Sequence, residues 1–200
     1  MTPAAPHILG WADVPPQPWR NGGGVTRELL TWPPAADWQL RLSVAEVQRS
    51  GPFSAFPGVE RWFAVLEGEG VELVWPGRVV VLRAGDAPCR FDGGQAPDCR
   101  LLGGATRDLN LMLHGARGGL WPAVPGLDWQ ADCTQAGLFT RDALQVQAAD
   151  TPPFALPPMS LCWWSAAPTR LQVLADATPH GTAPLAWWIT CQSSTSEPSR

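Results

Sequence analysis

The chain contains no lysine and no tyrosine. All fourteen cationic side chains are arginine, so Schiff-base chemistry, a lysine base and a tyrosine acid are excluded. Histidine is scarce: His7, His114 and His180 stand far apart, with no Asp, Glu or His partner at metal-site spacing. The expectation is therefore a protein without a metal or other cofactor. Long apolar runs are also missing. The longest, near residues 71–75 and 79–82, fall far short of the ~20 residues a membrane-spanning helix needs. Residues 1–18 show no basic segment leading into an apolar one, so neither a secretion signal nor a membrane association is expected. Cys89, Cys99, Cys133, Cys162 and Cys191 are odd in number and lack CxxC spacing. That pattern favours free, mostly buried thiols in a reducing, cytoplasmic setting over a disulfide frame or a zinc site. Net charge is −4, with arginines scattered singly among carboxylates, which leaves no basic face for nucleic acid.

What the chain does have is an apolar content of 45% over 200 residues, enough for one sizeable core or two small, tightly joined lobes. Twenty glycines and twenty-two prolines are spread along its length and read as the turns of an all-β protein. Apolar residues recur with period two in short runs cut by glycine, proline or aspartate, the pattern of a sandwich or barrel. Leu40, Leu42 and Val44 fall on one strand face while Gln39, Arg41 and Ser43 fall on the other. Further strands are expected over 61–67, 71–75, 79–82 and 89–91, and another around Leu109, Leu111 and Leu113. In the second half, strand candidates lie at 138–139, 144–146, 161–164, 171–174 and 187–190; only residues 131–137 look weakly helical, and a frayed tail is expected over 192–200.

Two turns stand out. Pro18-Trp19-Arg20-Asn21-Gly22-Gly23-Gly24-Val25-Thr26-Arg27-Glu28 combines a glycine run with hydrogen-bonding side chains and two arginines, and Ser50-Gly51-Pro52-Phe53-Ser54-Ala55-Phe56-Pro57-Gly58 follows it. Downstream, Leu66-Glu67-Gly68-Glu69-Gly70, a strand and then Ala84-Gly85-Asp86 resemble the hairpin and turn of cupin barrels. Cupins typically place metal-binding histidines before that hairpin and after that turn, where this chain has none. Together with Arg61 and Arg107-Asp108-Leu109-Asn110, these motifs resemble the HutD/Ves family in the expected order over roughly the first 115 residues. The resemblance implies a cupin-like double-stranded β-helix, a metal-free bicupin in which residues 1–191 form one compact unit. Its first lobe would span about 1–105 and its second about 106–191. It also implies an association with histidine utilisation, without an established catalytic activity.

Several side chains suit a small polar ligand. Asn21, Gly22 and Gly23 could cradle a carboxylate with backbone N–H groups, Asn21 and Thr26 adding side-chain bonds; the alternative is a plain hairpin turn needing positive φ. Arg61, at the entry to an apolar strand, is the favoured carboxylate fork, against a structural salt bridge to Glu28, Glu60 or Glu67. Arg27 and Arg41 are weaker candidates, because arginine alternating along a strand usually faces water. Asp108 and Asn110 share a strand face and could meet Arg41 and Ser43 in one lumen, with Phe56 shielding the site. Of the pairs Trp163-Trp164 and Trp187-Trp188, one ring each is expected in the core and the other at a cavity or interface, so a homodimer is one arrangement to consider.

The leading expectation is a metal-free cupin that binds a small carboxylated metabolite, plausibly a histidine-degradation intermediate, and regulates histidine utilisation. No residue is assigned as catalytic. The enzymatic alternative is a small-acid isomerase or hydrolase with Glu28 or Asp108 as general base, and the third option is a non-catalytic, tryptophan-rich scaffold.

Overall fold

In the computed structural model, residues 5–34, 36–130, 133–149, 151–174 and 186–193 are described. They form four antiparallel sheets. The largest has six strands in the spatial order Gln17–Pro18, Gly24–Trp32, Leu40–Val47, Thr106–His114, Val59–Glu67 and Cys89–Asp92. A four-stranded sheet, Gly51–Pro52, Asp98–Leu101, Val71–Trp75 and Arg78–Leu82, covers one of its faces. A five-stranded sheet, His7–Gly10, Ser160–Trp164, Gln135–Thr140, Ala186–Ser193 and Ala116–Pro122, covers the other. The last sheet, Asp128–Trp129, Leu171–Val173, Leu144–Ala148 and Phe154–Leu156, closes the far side of that one.

Period-two alternation explains this stack. Leu40, Leu42 and Val44 point, with Leu109, Leu111 and Leu113, toward the five-stranded sheet. Ala45 and Val47 point the other way, with Phe63 and Val65, into the first lobe. Val59–Glu67 lies inside the sheet and is buried on both faces, so Trp62, Phe63, Ala64, Val65 and Leu66 read as one apolar run rather than as an alternation. The tryptophan pairs split the same way. Trp163 and Trp187 enter the core shared by the two large sheets, and Trp164 and Trp188 enter the second lobe. All four are buried, so none stands at an outer interface as expected; Trp121 is the tryptophan most open to solvent, at 46%.

The chain does not divide at residue 105. Thr106–His114 pairs on both sides with first-lobe strands, because its leucine face needs Leu42 and Val44 beside it. Conversely, His7–Gly10 pairs with Ser160–Trp164 in the second lobe, and the chain then crosses to the six-stranded sheet through a short 3-10 turn, Trp11–Asp13. Trp11 is fastened there between the guanidinium groups of Arg27 and Arg107, each 4.4 Å from its ring centroid. Residues 135–137, expected to be helical, begin the strand Gln135–Thr140, since Ala136 and Leu138 fill the second-lobe core; 131–132 lie outside the described residues. The strand Ala186–Ser193 includes Gln192 and Ser193, so the expected tail does not start there, and 194–200 lie outside the described residues.

Two glycines permit close approaches that position the cavity. At Gly24 a Cβ would sit 2.2 Å from the Glu46 carbonyl oxygen, so only glycine lets Gly24–Trp32 start this near Leu40–Val47. At Gly70, φ is +106° and a Cβ would meet the Leu82 oxygen at 2.4 Å.

Leu111, fully buried between the two large sheets, tests the stack. Leu111→Ala is expected to cost about 2–5 kcal/mol in urea unfolding and to lower the stability of both lobes in one transition. A loss under about 1 kcal/mol, or separate transitions, would contradict a shared core.

Candidate functional site

The first lobe is not filled to the top. Between its two sheets lies a cavity of about 470 Å³, walled by the turn after Gln17–Pro18, by the 52–56 segment and by the inward faces of Leu40–Val47, Val59–Glu67 and Thr106–His114. Asn21, Thr26, Arg41, Ser43, Phe56, Arg61 and Asn110 all line it. Register brings the strand residues together: Ser43 faces Asn110, and Arg41 and Arg61 both face Met112.

Arg61 is the dominant group. Only 6% of it is exposed, and burial lowers its pKa to about 10, so it stays cationic at neutral pH. Its Nε and Nη2 donate to Asn110 Oδ1 at 3.3 and 3.0 Å, and Nη1 donates to the Ser54 carbonyl at 3.3 Å. The rings of Phe53, Phe56 and Phe91 lie 5.2, 5.7 and 5.1 Å from its central carbon. These bonds use three of the five guanidinium N–H groups, leaving one on each terminal nitrogen. No carboxylate neutralises it among the described residues, because the three suspected partners are engaged elsewhere. Glu28 pairs with Arg41, Glu60 with Arg90 and Glu67 with Arg107. A desolvated, uncompensated cation is costly unless an anion completes it.

The remaining lining is donor-rich. Asn110 Oδ1 is taken by Arg61, which leaves its amide nitrogen for the cavity. Among the described residues the Ser43 hydroxyl has no partner. Arg41 lies at the rim over Trp38, with Nε 3.0 Å from Glu28 Oε2. The titratable side chains that line the cavity are Arg20, Arg41 and Arg61.

Four expected site residues lie elsewhere. Gly22 and Gly23 form no N–H cradle: Gly22 N donates to the Trp19 carbonyl at 3.0 Å and Gly23 N to Asn21 Oδ1 at 2.9 Å, so both donors are occupied. The motif is a hairpin turn, with Gly22 at φ +66°. Arg27 alternates to the opposite strand face, where it covers Trp11 and donates to the Val14 carbonyl. Asp108 shares the lumen face of Asn110 but sits deeper, fully buried beside Ala45 and Val65, and does not line the cavity. Thr26 does line it, yet its Oγ1 accepts from Trp19 Nε1 at 2.7 Å, so it holds a wall in place.

Sequence reasoning missed several walls. Trp19, Phe53 and Phe63 line the cavity, and Phe91 closes the third side of the Arg61 guanidinium. Trp19 and Phe53 lie inside the two noted turns and could have been found there. Ser54 acts through its backbone carbonyl, which side-chain chemistry does not reveal.

The described residues of the second lobe pack more tightly. Its interior is filled by Leu138, Val146, Trp164, Val173 and Trp188. A more open groove of about 310 Å³ runs past Trp121 and Trp129, with the exposed Arg117 on its lining. His7 is exposed on its strand, His114 packs 5.7 Å from Trp38, and His180 lies outside the described residues. Among the described residues no group of three His, Cys, Asp or Glu is placed to hold a metal ion. No described helix is long and apolar enough to cross a membrane.

Paired antiparallel sheets around a lumen entered from one end define a cupin-like β protein, and solved structures agree. Oxalate decarboxylase from Bacillus subtilis superposes with a TM-score of 0.62 over 96% of this chain and 78% of its own, at 10% identity, a likeness of fold alone. The relationship is closer elsewhere: the HutD family model matches residues 11–179, and the chain belongs to that family. A curated Pseudomonas putida relative, an uncharacterized 21.2 kDa protein in the hutC 3′ region, is 38% identical over 108 residues, covering 53% of this chain and 57% of the relative. Protein Ves of Citrobacter koseri is 39% identical over 106 residues, covering 52% and 56%. The matched stretch thus spans little more than half the length of either. Among solved structures, a conserved protein of unknown function from Pseudomonas aeruginosa PAO1 superposes with a TM-score of 0.79 at 29% identity, over 94% of this chain and 98% of its own.

Asp108 yields a pH test. Burial raises its carboxyl to about 7; Thr106 Oγ1 donates to its Oδ2 at 2.7 Å, while Oδ1 has no partner. A raised folded-state pKa favours folding fully below the unfolded value near 4, and that contribution is lost as pH rises toward 7. Asp108→Asn should match the parent near pH 4 and become progressively more stable than it up to pH 7, by at most ~1.4 kcal/mol per pH unit. Thermal melts across pH check this, and a pH-independent difference would contradict it.

Proposed function

We propose that the first-lobe cavity binds a small carboxylate and that the protein acts by holding this metabolite rather than by transforming it. The single observation that carries this is Arg61, buried to 6% exposure, ringed by aromatics, and without a counter-charge among the described residues. A carboxylate seated on its two uncommitted N–H groups would form a charge-assisted fork in a water-poor setting. Asn110 Nδ2 and the Ser43 hydroxyl would complete the head-group contacts, with Phe56 and Trp19 covering the body of the ligand. The family's association with histidine utilisation makes intermediates of histidine degradation the first ligands to test. A regulatory role, through retention of such an intermediate, follows from that association, and the arginine-lined cavity supports the chemistry.

The enzymatic alternative is weaker on two counts. Glu28, one suggested base, is held by Arg41 and accepts from Thr31 Oγ1 at 2.7 Å, and Asp108, the other, does not line the cavity. Calorimetric titration with urocanate and with N-formylglutamate is expected to give saturable binding of at least one. Arg61→Ala should weaken it at least about thirty-fold, the lower end of the cost of removing one partner of a buried charge pair. No heat with either compound from a folded sample would remove the histidine-pathway version, and unchanged affinity in Arg61→Ala would remove the site itself. Turnover lost in Glu28→Gln or Asp108→Asn, with binding intact, would favour the enzyme instead.

A further inference from the structure

The two turns that stand out in the sequence meet at a place the carboxylate site does not use. Gln48 N and Arg49 N donate to the Gly23 carbonyl at 2.8 and 3.1 Å, tying the glycine turn to the start of the 50–58 segment. Beside that junction is a second cavity of about 200 Å³. It shares a wall with the main cavity, built from Trp19, Asn21, Val47, Pro52 and Phe53. Arg49 and Ser50 are among the residues that belong to the smaller cavity and not to the larger one.

The polar groups of the smaller cavity are left as donors. Arg49 has no acidic partner among the described residues. Asn21 Oδ1 is occupied by Gly23 N, so its amide nitrogen is the group that remains. Ser50 Oγ accepts from Leu101 N at 3.0 Å, which leaves its hydroxyl proton to donate. No carboxylate lines the cavity. Arg49, Ser50 and Asn21 are exposed, so this donor-rich compartment lies at the surface beside the Arg61 cavity and shares Trp19, Asn21, Val47, Pro52 and Phe53 with it.

The aromatic part of the partition, Trp19 and Phe53, is partly buried and packs against the first-lobe core. The Trp19 indole is fixed by one side-chain hydrogen bond, to Thr26 Oγ1. The turn's own bonds, Trp19 N to the Gly24 carbonyl and Gly22 N to the Trp19 carbonyl, involve only backbone. A rotation of the ring about its side-chain torsions would leave those backbone bonds in place. Phe53 on the same wall rests against Phe63, with ring centroids 5.5 Å apart.

We propose that the two cavities form one bipartite site for an elongate dianion: one carboxylate on Arg61 and a second acidic group, some methylenes away, beside Arg49, Asn21 and Ser50, with Trp19 turning aside to let the chain through. The proposal rests on the Arg61 site and specifies the ligand class it takes. Trp19 and Thr26 are then positioning residues, whose hydrogen bond sets how readily the two compartments join.

The test compares matched acids by calorimetry on the full chain: pentanoate against glutarate, and heptanoate against pimelate. In at least one pair the dicarboxylate should bind ten-fold or more tightly than its monocarboxylate. Arg49→Gln and, separately, Ser50→Ala should shrink that margin while leaving monocarboxylate affinity within two-fold, and Arg61→Ala should weaken both acids. Thr26→Val, which removes the acceptor of the indole N–H, should change the ratio of dicarboxylate to monocarboxylate association rates in stopped-flow tryptophan fluorescence, and an unchanged ratio overturns the positioning role of Thr26. If monocarboxylates bind but no dicarboxylate is preferred, the bipartite site falls and the Arg61 site stands. A preference that survives both Arg49→Gln and Ser50→Ala overturns the second compartment, and no binding by any of the acids overturns both proposals.

Discussion

Everything in this molecule depends on burying the six-stranded sheet on both faces. A sheet with one wet face needs only alternating apolar residues, whereas Val59–Glu67 carries five consecutive buried ones, from Trp62 to Leu66. The five-stranded sheet takes one face and the four-stranded sheet the other. The inner strands are thereby fixed in register, since a one-residue slip of Thr106–His114 would drive Asp108 and Asn110 into the leucine core and Leu109 and Leu111 into the lumen. The position of Asn110 under Arg61 is a consequence of that register. The leucine face secures the polar face.

The same arrangement sets the electrostatics. Arg61 lies where Val59–Glu67 pairs with both Thr106–His114 and Cys89–Asp92, opposite Met112 on one side and Phe91 on the other. Neither neighbour can neutralise it, and the acids that could are drawn off by exposed or rim arginines: Arg90 takes Glu60, and Arg107 takes Glu67. A single amide oxygen and a single carbonyl orient the guanidinium without discharging it. The cation is thus held ready, and its remaining demand is for an anion from outside. Cupin barrels typically carry metal-binding histidines before the hairpin and after the downstream turn, and there this chain sets Arg61 against Phe91, a fixed organic cation beside an aromatic ring.

What could be read from the sequence follows from which features are local. Alternation at Leu40, Leu42 and Val44, the Gly68-Glu69-Gly70 turn, and the shared lumen face of Arg41, Ser43 and Asn110 each depend on neighbours two residues away, and all were legible. The strand Gly24–Trp32 was not, because Thr26, Arg27 and Glu28 alternate without an apolar face; their partners are Trp19, Trp11 and Arg41. The place of His7–Gly10 in the second lobe was hidden for another reason: it pairs with residues about 150 positions away, beyond any local pattern. The glycine turn was noticed correctly, but its chemistry was misplaced. Its N–H groups face inward to Trp19 and Asn21, and its contribution to the cavity is to carry those two side chains.

That last point bears on the choice between binder and catalyst. Proton transfer from carbon or water needs a side chain that changes protonation near neutral pH within hydrogen-bond reach of the substrate. Along this cavity the titratable groups are guanidiniums, the free amide nitrogens of Asn21 and Asn110 only donate, and the remaining walls are rings, methionine and aliphatic surface with Gln17 and the hydroxyl residues Thr26, Ser43 and Ser54. The one carboxyl with a pKa near 7, Asp108, is sealed beneath Asn110 with no exposed surface. Donors without a side-chain base among the lining residues suit recognition of an anion.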